Sequence, residues 1–465
     1  MKKRISKFVI FTFSVFIILN GCQKSSNDFG FLNGIYNSGL DSINASSLID
    51  DHNNNENPTQ LIKFNGVLDK TFAKTGYVQT EINTKAQVTA HAVAPDGSVI
   101  AGGFSILKDG TSVFSLARYN KDGTLNTNFG TGGTVQTQIG SEAAINSILL
   151  LQDGSIIAGG FSRNCANVPL FTLVKYKADG KISRSFGSRG IVQTPIGISS
   201  AIRSLVLLKD GNILAAGYSA TNPKLPMMTI AKYSTFGTLI DEFGDDGIVQ
   251  TQAGESSQFY SATTLNDGAI VAGGYINTDP FNRSYALVKY DSSGKVSADF
   301  GTNGITTVQI GVGSYVLSLA ASSDGTIIAG GYSEGATHLS YFTVAKFDSH
   351  GYLQLNFGTG GIILNAMAAN ISFSSYTCSV LVLNDGSILA GGYATGVDNS
   401  SAFTMIKYDR SGNIALDFGK KGMVQNKFGN YSYLQAMTLQ SDGTVVTSGY
   451  GEKNGKIVFT AARYK

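Results

Sequence analysis

The chain is poor in charge, in histidine and in cysteine, and it has no recognisable catalytic motif. Charged residues make up 14% of the 465 residues, and the net charge is +3. A field that weak excludes a nucleic-acid surface, because no basic run exists beyond the extreme N-terminus. Four histidines are present. They form no set with the three or four convergent ligands that zinc needs. HExxH, CxxC, the phosphate-binding Walker loop and a complete GxGxxG are all missing. Gly331-Tyr332-Ser333-Glu334-Gly335 matches GxSxG formally. Without a strand-to-helix turn it reads as the end of a strand. No cofactor and no metal are expected. No helical periodicity appears after residue 21. One apolar run stands out, residues 8–19, too short to span a bilayer as a stable helix.

That run sits in a targeting segment. Lys2, Lys3, Arg4 and Lys7 precede it, and Leu19-Asn20-Gly21-Cys22 follows. The pattern resembles the lipobox of bacterial lipoproteins, with Asn20 less usual at its position. The resemblance implies cleavage before Cys22 and a lipid on its thiol; Gln after the Cys implies outer-membrane sorting. An ordinary cleaved signal peptide is the alternative. Cys165 and Cys378 then remain, four repeats apart, so no disulfide is expected. Residues 22–60, rich in Asn and Ser, read as a disordered tether reaching about 35 Å.

What the sequence has in quantity is repetition. Asp-Gly recurs at Asp96, Asp153, Asp210, Asp267, Asp324, Asp385 and Asp442, in steps of 57 residues with one step of 61. Phe-Gly recurs at Phe129, Phe186, Phe243, Phe300, Phe357 and Phe418, with Phe72-Ala73 as a degenerate copy. A fixed period of this size means stacked copies of one supersecondary unit. Within a repeat we expect four strands, A to D. In one copy A is Ile145–Leu151, B is Ser155–Phe161, C is Phe171–Tyr176 and D is Ile191–Ile196. Asp153-Gly154 between A and B is expected to form a two-residue hairpin turn, both residues at positive φ. Four short strands per repeat and no helices predict an all-β, seven-bladed β-propeller over residues 61–465. The chain ends on a C strand, so residues 77–82 should supply the missing D strand and close the ring against residues 458–464.

Several residues occur in every copy. The second Gly of strand B is Gly103, Gly160, Gly217, Gly274, Gly331, Gly392 and Gly449, always followed by an aromatic. Such a Gly marks a close approach, expected from an aromatic of the next blade. Strand C ends in a cation and an aromatic, from Arg118-Tyr119 to Arg463-Tyr464. These cations are expected to lie over aromatic rings rather than to bind anions. Ala90, Ser147, Ser204, Ser261, Ser318, Ser379 and Ala436 place a small residue in each strand A, where inner strands crowd.

DGSVIAGGF, LARYNKDGTLNTNFGTGG and LVKYKADGKISRSFGSRG together resemble the delta-60 repeat family of bacteria. The likeness covers nearly everything from residue 61 onward. It implies a propeller fold and no known activity or catalytic residue.

The loops joining D to A and B to C vary, and the loop near Asn365–Thr377 is four residues longer than its counterparts. Variable loops on a rigid scaffold are the usual carriers of binding. Tyr315, Tyr376 and Tyr433 open strand A in successive repeats. Tyr260 sits two places further along in the neighbouring copy, where Arg203 and Asn146 are its equivalents. An aromatic arc with a few polar groups suits sugar rings or peptides. The bland alternative is that these tyrosines plug the channel or pack between blades. The function read from the sequence is non-enzymatic binding or scaffolding of a protein or glycan by a monomeric envelope lipoprotein. One alternative is a polysaccharide hydrolase or lyase using loop acids such as Glu142, Glu255, Glu334 or Asp398. Another is a purely structural envelope component. His91 breaks its repeat position, otherwise held by Ile148, Leu205, Ala262, Leu319, Val380 and Met437, and reads as a buried, satisfied histidine.

Overall fold

The computed structural model describes residues 64–465, except 223, 278, 280, 281, 337, 338, 367–374, 397 and 399. The expected signal segment and tether, and most of the longer loop, lie outside the described residues. Among those described are twenty-eight β-strands and no helix. The repeat unit is an antiparallel meander. In one copy A is Ala143–Leu150, B is Ile156–Arg163, C is Pro169–Tyr176 and D is Ile191–Thr194. Strand D is shorter than expected and pairs only with Phe171–Val174.

Six hydrogen-bonded sheets result. Five have four strands each; the sixth has eight because a single parallel bridge, Arg283 to Gly313, joins two neighbouring meanders. The last repeat takes its fourth strand from the start of the domain. Tyr77–Thr80 pairs antiparallel with Phe459–Ala462. This all-β stack of four-stranded antiparallel meanders is consistent with a β-propeller.

The turn between A and B differs from the expected form. Leu151 N–H donates to Ser155 O at 2.8 Å, and Gly154 N–H donates to Leu151 O at 2.9 Å. Three residues therefore form the turn, and only Gly154 takes positive φ, at 76°. The cause is local. The Asp153 carboxylate accepts Ser155 N–H at 2.9 Å, which holds Asp153 in ordinary backbone and leaves the left-handed place to Gly.

The second Gly of strand B also has a different reason from the one expected. A Cβ on Gly160 would lie 2.0 Å from the Ala144 carbonyl oxygen of its own strand A. Strand A bulges there: pairing slips between Ile145 and Ser147, and Asn146 is left over. The neighbouring repeat packs instead on the first Gly, where a Cβ on Gly159 would meet Leu205 Cδ1 at 2.7 Å. The small residue of strand A has a role beyond fitting. Ser147 Oγ accepts Leu205 N–H at 3.0 Å, and Ser204, Ser261, Ser318 and Ser379 do the same for the repeat that follows each.

The Phe-Gly landmark forms a joint with the C–D turn of the next repeat. Phe129 is 1% exposed and lies under Gly180 of the next repeat, 3.0 Å from where a Cβ would stand. Gly130 N–H then donates to Asp179 O at 2.8 Å. Phe-Gly of one copy and the C–D turn glycine of the next, with the residue before it, thus fasten neighbours, as Gly187 to Phe236 and Gly301 to His350. Some of the C-strand cations lie over aromatic rings: Lys232 over Phe243 at 5.7 Å, Lys346 over Phe357 at 5.5 Å and Arg463 over Phe72 at 5.2 Å. Some also pair with the turn Asp, as Lys232 with Asp210 at 2.8 Å.

Candidate binding face at the opening of strand A

The bulge puts the candidate residues in place. The residue that each strand A skips in pairing is Thr89, Asn146, Arg203, Tyr260, Leu317, Cys378 or Gln435. Three of the six proposed ligand residues, Asn146, Arg203 and Tyr260, are therefore bulge residues. A skipped residue stands outside the backbone ladder, and two of them reach to the next repeat. Asn146 is fully buried, and its Nδ2 donates to Ile202 O at 2.6 Å, while Oδ1 has no partner among the described residues. Thr89 Oγ1 makes the same reach to Ile145 O at 2.6 Å.

Tyr315, Tyr376 and Tyr433 sit two places earlier, each opposite a strand-B tyrosine: Tyr332, Tyr393 and Tyr450. Within a repeat the two rings stack, with centroids 4.6, 5.0 and 4.8 Å apart. Between repeats they meet edge to face. Tyr332 lies 4.5 Å from Tyr376, and Tyr393 lies 4.5 Å from Tyr433. Tyr275 reaches Tyr315 at 5.2 Å and Tyr260 at 6.0 Å. Eight tyrosines thus form one continuous belt across four repeats. Arg203 extends it, 5.5 Å over Tyr218 and 5.8 Å over Tyr260. On the remaining side the belt gives way to Phe104, Ala144, Phe161 and Ala201.

The arc expected from the sequence is thus assembled, but its openness varies. Tyr260 is 1% and Tyr315 6% exposed, whereas Tyr376 and Tyr433 are half-buried. Burial pushes the phenols of Tyr260, Tyr275, Tyr315, Tyr332 and Tyr433 upward, so they stay protonated. Arg283 lies over Tyr275 and Tyr315 at 5.6 and 5.5 Å and donates a hydrogen bond to the Tyr315 hydroxyl. The strand-B partners were visible in the sequence only as the aromatic after each second Gly. Their register with strand A comes from the bulge, which no residue type announces.

The loop acids are mostly engaged. Glu142 pairs with Arg163 at 2.7 Å. Asp398 accepts Ser400 Oγ at 2.6 Å and Ser400 N–H at 3.0 Å, and meets Lys427 at 3.3 Å. The Ser400 bonds and Lys427 lower its carboxyl to about 2. Glu255 is exposed and Glu334 intermediate. Gly331–Gly335 starts inside strand B, Ile327–Glu334, as the sequence reading held. Cys378 is buried, which pushes its thiol up to about 12, and Cys165 is exposed. Among the described residues no three His, Cys, Asp or Glu side chains gather as a metal site. His91 is buried and shares a 2.6 Å hydrogen bond through Nδ1 with Ser448, but its Nε2 has no partner among the described residues. It is therefore only half satisfied.

Residues 94–129, 151–186 and 383–414 match the family described as a domain of unknown function (DUF5122) beta-propeller. These matches support a β-propeller family of unknown function. No curated protein matches the chain. Among solved structures, an ulvan lyase from a new polysaccharide lyase family is 9% identical, with a TM-score of 0.50, over 82% of this chain and 95% of that one. A Dyadobacter fermentans protein of unknown function is 14% identical at TM-score 0.40, over 83% of this chain and 98% of its own. The Trypanosoma rangeli sialidase in complex with the inhibitor DANA is 11% identical at TM-score 0.40, over 83% of this chain and 59% of its own. At these identities the likeness concerns the fold alone.

Proposed function

We propose that the chain is a delta-60-type lipoprotein of the bacterial envelope, anchored through Cys22 in the outer membrane. In this reading its seven repeats close into a ring of seven blades. The ring is a non-enzymatic scaffold that binds a glycan or protein on the D–A and B–C loop face. Closure is supported by joints between the first and last repeats that repeat those between neighbours. Ala73 N–H donates to Asp122 O at 2.6 Å, as Gly130 does to Asp179. Tyr119 hydroxyl donates to Thr80 at 2.8 Å, as Tyr176 does to Thr137 at 2.8 Å.

Binding rather than catalysis is supported by the belt. Half-buried Tyr376 and Tyr433 offer ring edges and hydroxyls, Arg283 adds a cation, and Glu142 and Asp398 are tied into ion pairs. Aromatic surface with few polar groups suits sugars. The test is a glycan array probed with the full chain beside Tyr433→Ala and Arg283→Ser variants. The reading expects binding to fall at least tenfold in the variants while their melting temperatures stay within a few degrees. A folded chain that binds no glycan would move the reading to protein ligands.

A further inference from the structure

The exposed connections between strands C and D, on the face opposite the variable loops, are not alike around the repeats. Number the repeats by their A–B Asp-Gly, from Asp96 in the first to Asp442 in the seventh. The seventh repeat takes its C–D connection from residues 64–76, since Tyr77–Thr80 is its fourth strand. Two equivalent outward positions then compare directly. The first four repeats place Thr124 and Thr127, Lys181 and Arg184, Thr238 and Asp241, and Lys295 and Ala298 there. The fifth places Tyr352 and Leu355, the sixth Asn413 and Leu416, and the seventh Val67 and Lys70. Tyr352, Leu355, Leu416 and Val67 are 59%, 74%, 71% and 58% exposed. Large apolar side chains with that exposure, in three adjacent repeats, mark a surface that meets something.

Charge on this face also differs from repeat to repeat. Two residues beyond the Phe-Gly phenylalanine, the sixth repeat has exposed Lys420 and Lys421, and the seventh has exposed Lys74. The third repeat has exposed Asp245 and Asp246 in those places, beside exposed Asp241 and Glu242. The fifth to seventh repeats are therefore apolar with added lysines, the third is acidic around an exposed Phe236, and the second is basic through exposed Lys177, Lys181, Arg184 and Arg189.

The path of the chain says what meets the apolar side. Phe64 stacks on Phe418 with ring centroids 5.4 Å apart, and Asn65 O accepts Gly419 N–H at 3.3 Å. The described part of the chain therefore starts at the strand-C to strand-D connection that carries Leu416 and Lys420. The fifth and sixth connections also touch, Gly358 N–H donating to Ser411 O at 2.8 Å.

We propose that the C–D face of the fifth to seventh repeats docks on the bilayer that holds the chain's own lipid. This rests on the lipidation of Cys22 put forward above. Tyr352, Leu355, Leu416 and Val67 enter the headgroup–acyl boundary, and Lys420, Lys421 and Lys74 meet anionic headgroups. The acidic third repeat tilts away. A lipid on a long tether would otherwise leave the domain free to take any orientation. Docking turns the variable loops, on the opposite face, away from the membrane.

The chain contains no tryptophan, so one introduced indole reports alone. Leu416→Trp and, as control on the same face, Phe236→Trp of the third repeat are made in the full chain. Phe236 is 68% exposed. Each is purified and reconstituted with vesicles of phosphatidylethanolamine and phosphatidylglycerol carrying brominated acyl chains. Mass spectrometry reports whether Cys22 carries lipid. At least twofold quenching for Leu416→Trp, with little for Phe236→Trp, supports the proposal. Adding Lys420→Glu and Lys421→Glu should then weaken docking about fivefold per lysine lost. Lipidated chains that float with the vesicles but show no quenching, or equal quenching at both sites, overturn the docked face and leave the anchor standing. An unlipidated chain overturns the anchor instead. The face is then read on the same vesicles added in excess: quenching of Leu416→Trp keeps it, and none removes it.

Discussion

The junction between the last repeat and the first uses the same outer joints as the junctions between sequence neighbours, yet its centre is built differently. Elsewhere an apolar residue of strand A faces a small apolar position of the preceding strand B, the first Gly in five repeats, as Ile148 on Gly102 and Val380 on Gly330, and Ala216 in the third. At the seam the two positions hold His91 and Ser448, joined at 2.6 Å. Within the seventh repeat, where residues 64–80 meet the last strand, Arg463 pairs with Asp69 at 2.8 Å, with side chains 6% and 7% exposed. The equivalent cation of an ordinary repeat, Lys232, meets an Asp210 side chain that is 46% exposed. Neighbours in sequence are held together by their covalent connection. The seam joins residues almost four hundred positions apart, and there the contacts are directional, which favours one register over others that greasy packing would tolerate.

The largest test removes the seam's buried ion pair. Burial raises the Asp69 carboxyl, but the Thr71 hydrogen bonds and Arg463 outweigh it and hold it below its ordinary value. Asp69→Ala takes the carboxylate from a buried Arg463, which keeps only its bonds to the Lys121 carbonyl and the Thr71 hydroxyl, and should cost about 3 kcal/mol in urea unfolding. Asp210→Ala, at an exposed pair, should cost less than about 1 kcal/mol. Equal costs would remove the distinction between seam and ordinary junction. The sign with pH follows from the depressed carboxyl. Stability from Asp69 is present above the ordinary carboxylate range and is lost as pH falls through the folded value.

Next comes His91. Burial lowers its imidazole to about 3 from the ordinary 6.5. A folded value below the unfolded one means full stability above pH 6.5, lost as pH falls towards 3. Between pH 7 and 4.5 the wild type should lose about 3 kcal/mol through this group, at about 1.4 kcal/mol per pH unit below 6.5. The His91→Leu/Ser448→Gly chain, which copies Leu205 on Gly159, should lack that part of the loss. Parallel stability–pH curves for the two chains would show that His91 is not neutral and buried at the seam.

How much of this the sequence carried depends on the kind of residue. The repeat, the strand order and the pairing of residues 77–80 with the end of the chain were all legible, because turn glycines and apolar strands recur at fixed spacing. The bulge in strand A was not, because its skipped residue takes seven different identities, from Thr89 to Gln435. Its real marker is Gly160, and a Gly in a strand does not say whether its own partner or a neighbouring repeat comes close. Tyr315, Tyr376 and Tyr433 were legible as an arc that either binds or packs between repeats, while the degree of burial at each was not. Burial comes from Tyr332, Tyr393 and Tyr450 stacked against them, and stacking follows from a register the sequence did not announce.

Glycine substitutions sharpen this point. Gly160→Ala drives a Cβ to 2.0 Å from a backbone oxygen at the bulge. Neither partner can rotate away, so the cost should be about 3 kcal/mol. Gly159→Ala meets only the end of the Leu205 side chain, at 2.7 Å. That side chain can change rotamer, and the cost should be about 1 kcal/mol. Chemical denaturation of the two variants side by side reads the difference, and the reverse order would place the tight approach between repeats instead.

The smallest effect concerns the hydroxyl bonds of the junctions, where the protein already contains its own control. Tyr290 shares a 2.6 Å hydrogen bond with Thr251 of the preceding repeat, and Tyr233 donates to Thr194 in the same way. In the fifth repeat both partners are changed together: Phe347 stands for the tyrosine and Val308 for the threonine, packed in one apolar cluster. A hydroxyl pair replaced by an apolar pair of the same shape is nearly neutral, whereas one partner left behind costs the desolvation of its polar atom. Tyr290→Phe alone should therefore lose about 1 kcal/mol, and adding Thr251→Val should restore most of it. Tyr119, which bonds Thr80 across the seam, should behave like Tyr290 if outer joints are equivalent there. A larger loss for Tyr119→Phe would mean that the seam leans on its hydroxyl as well as on its centre, because no covalent connection backs it.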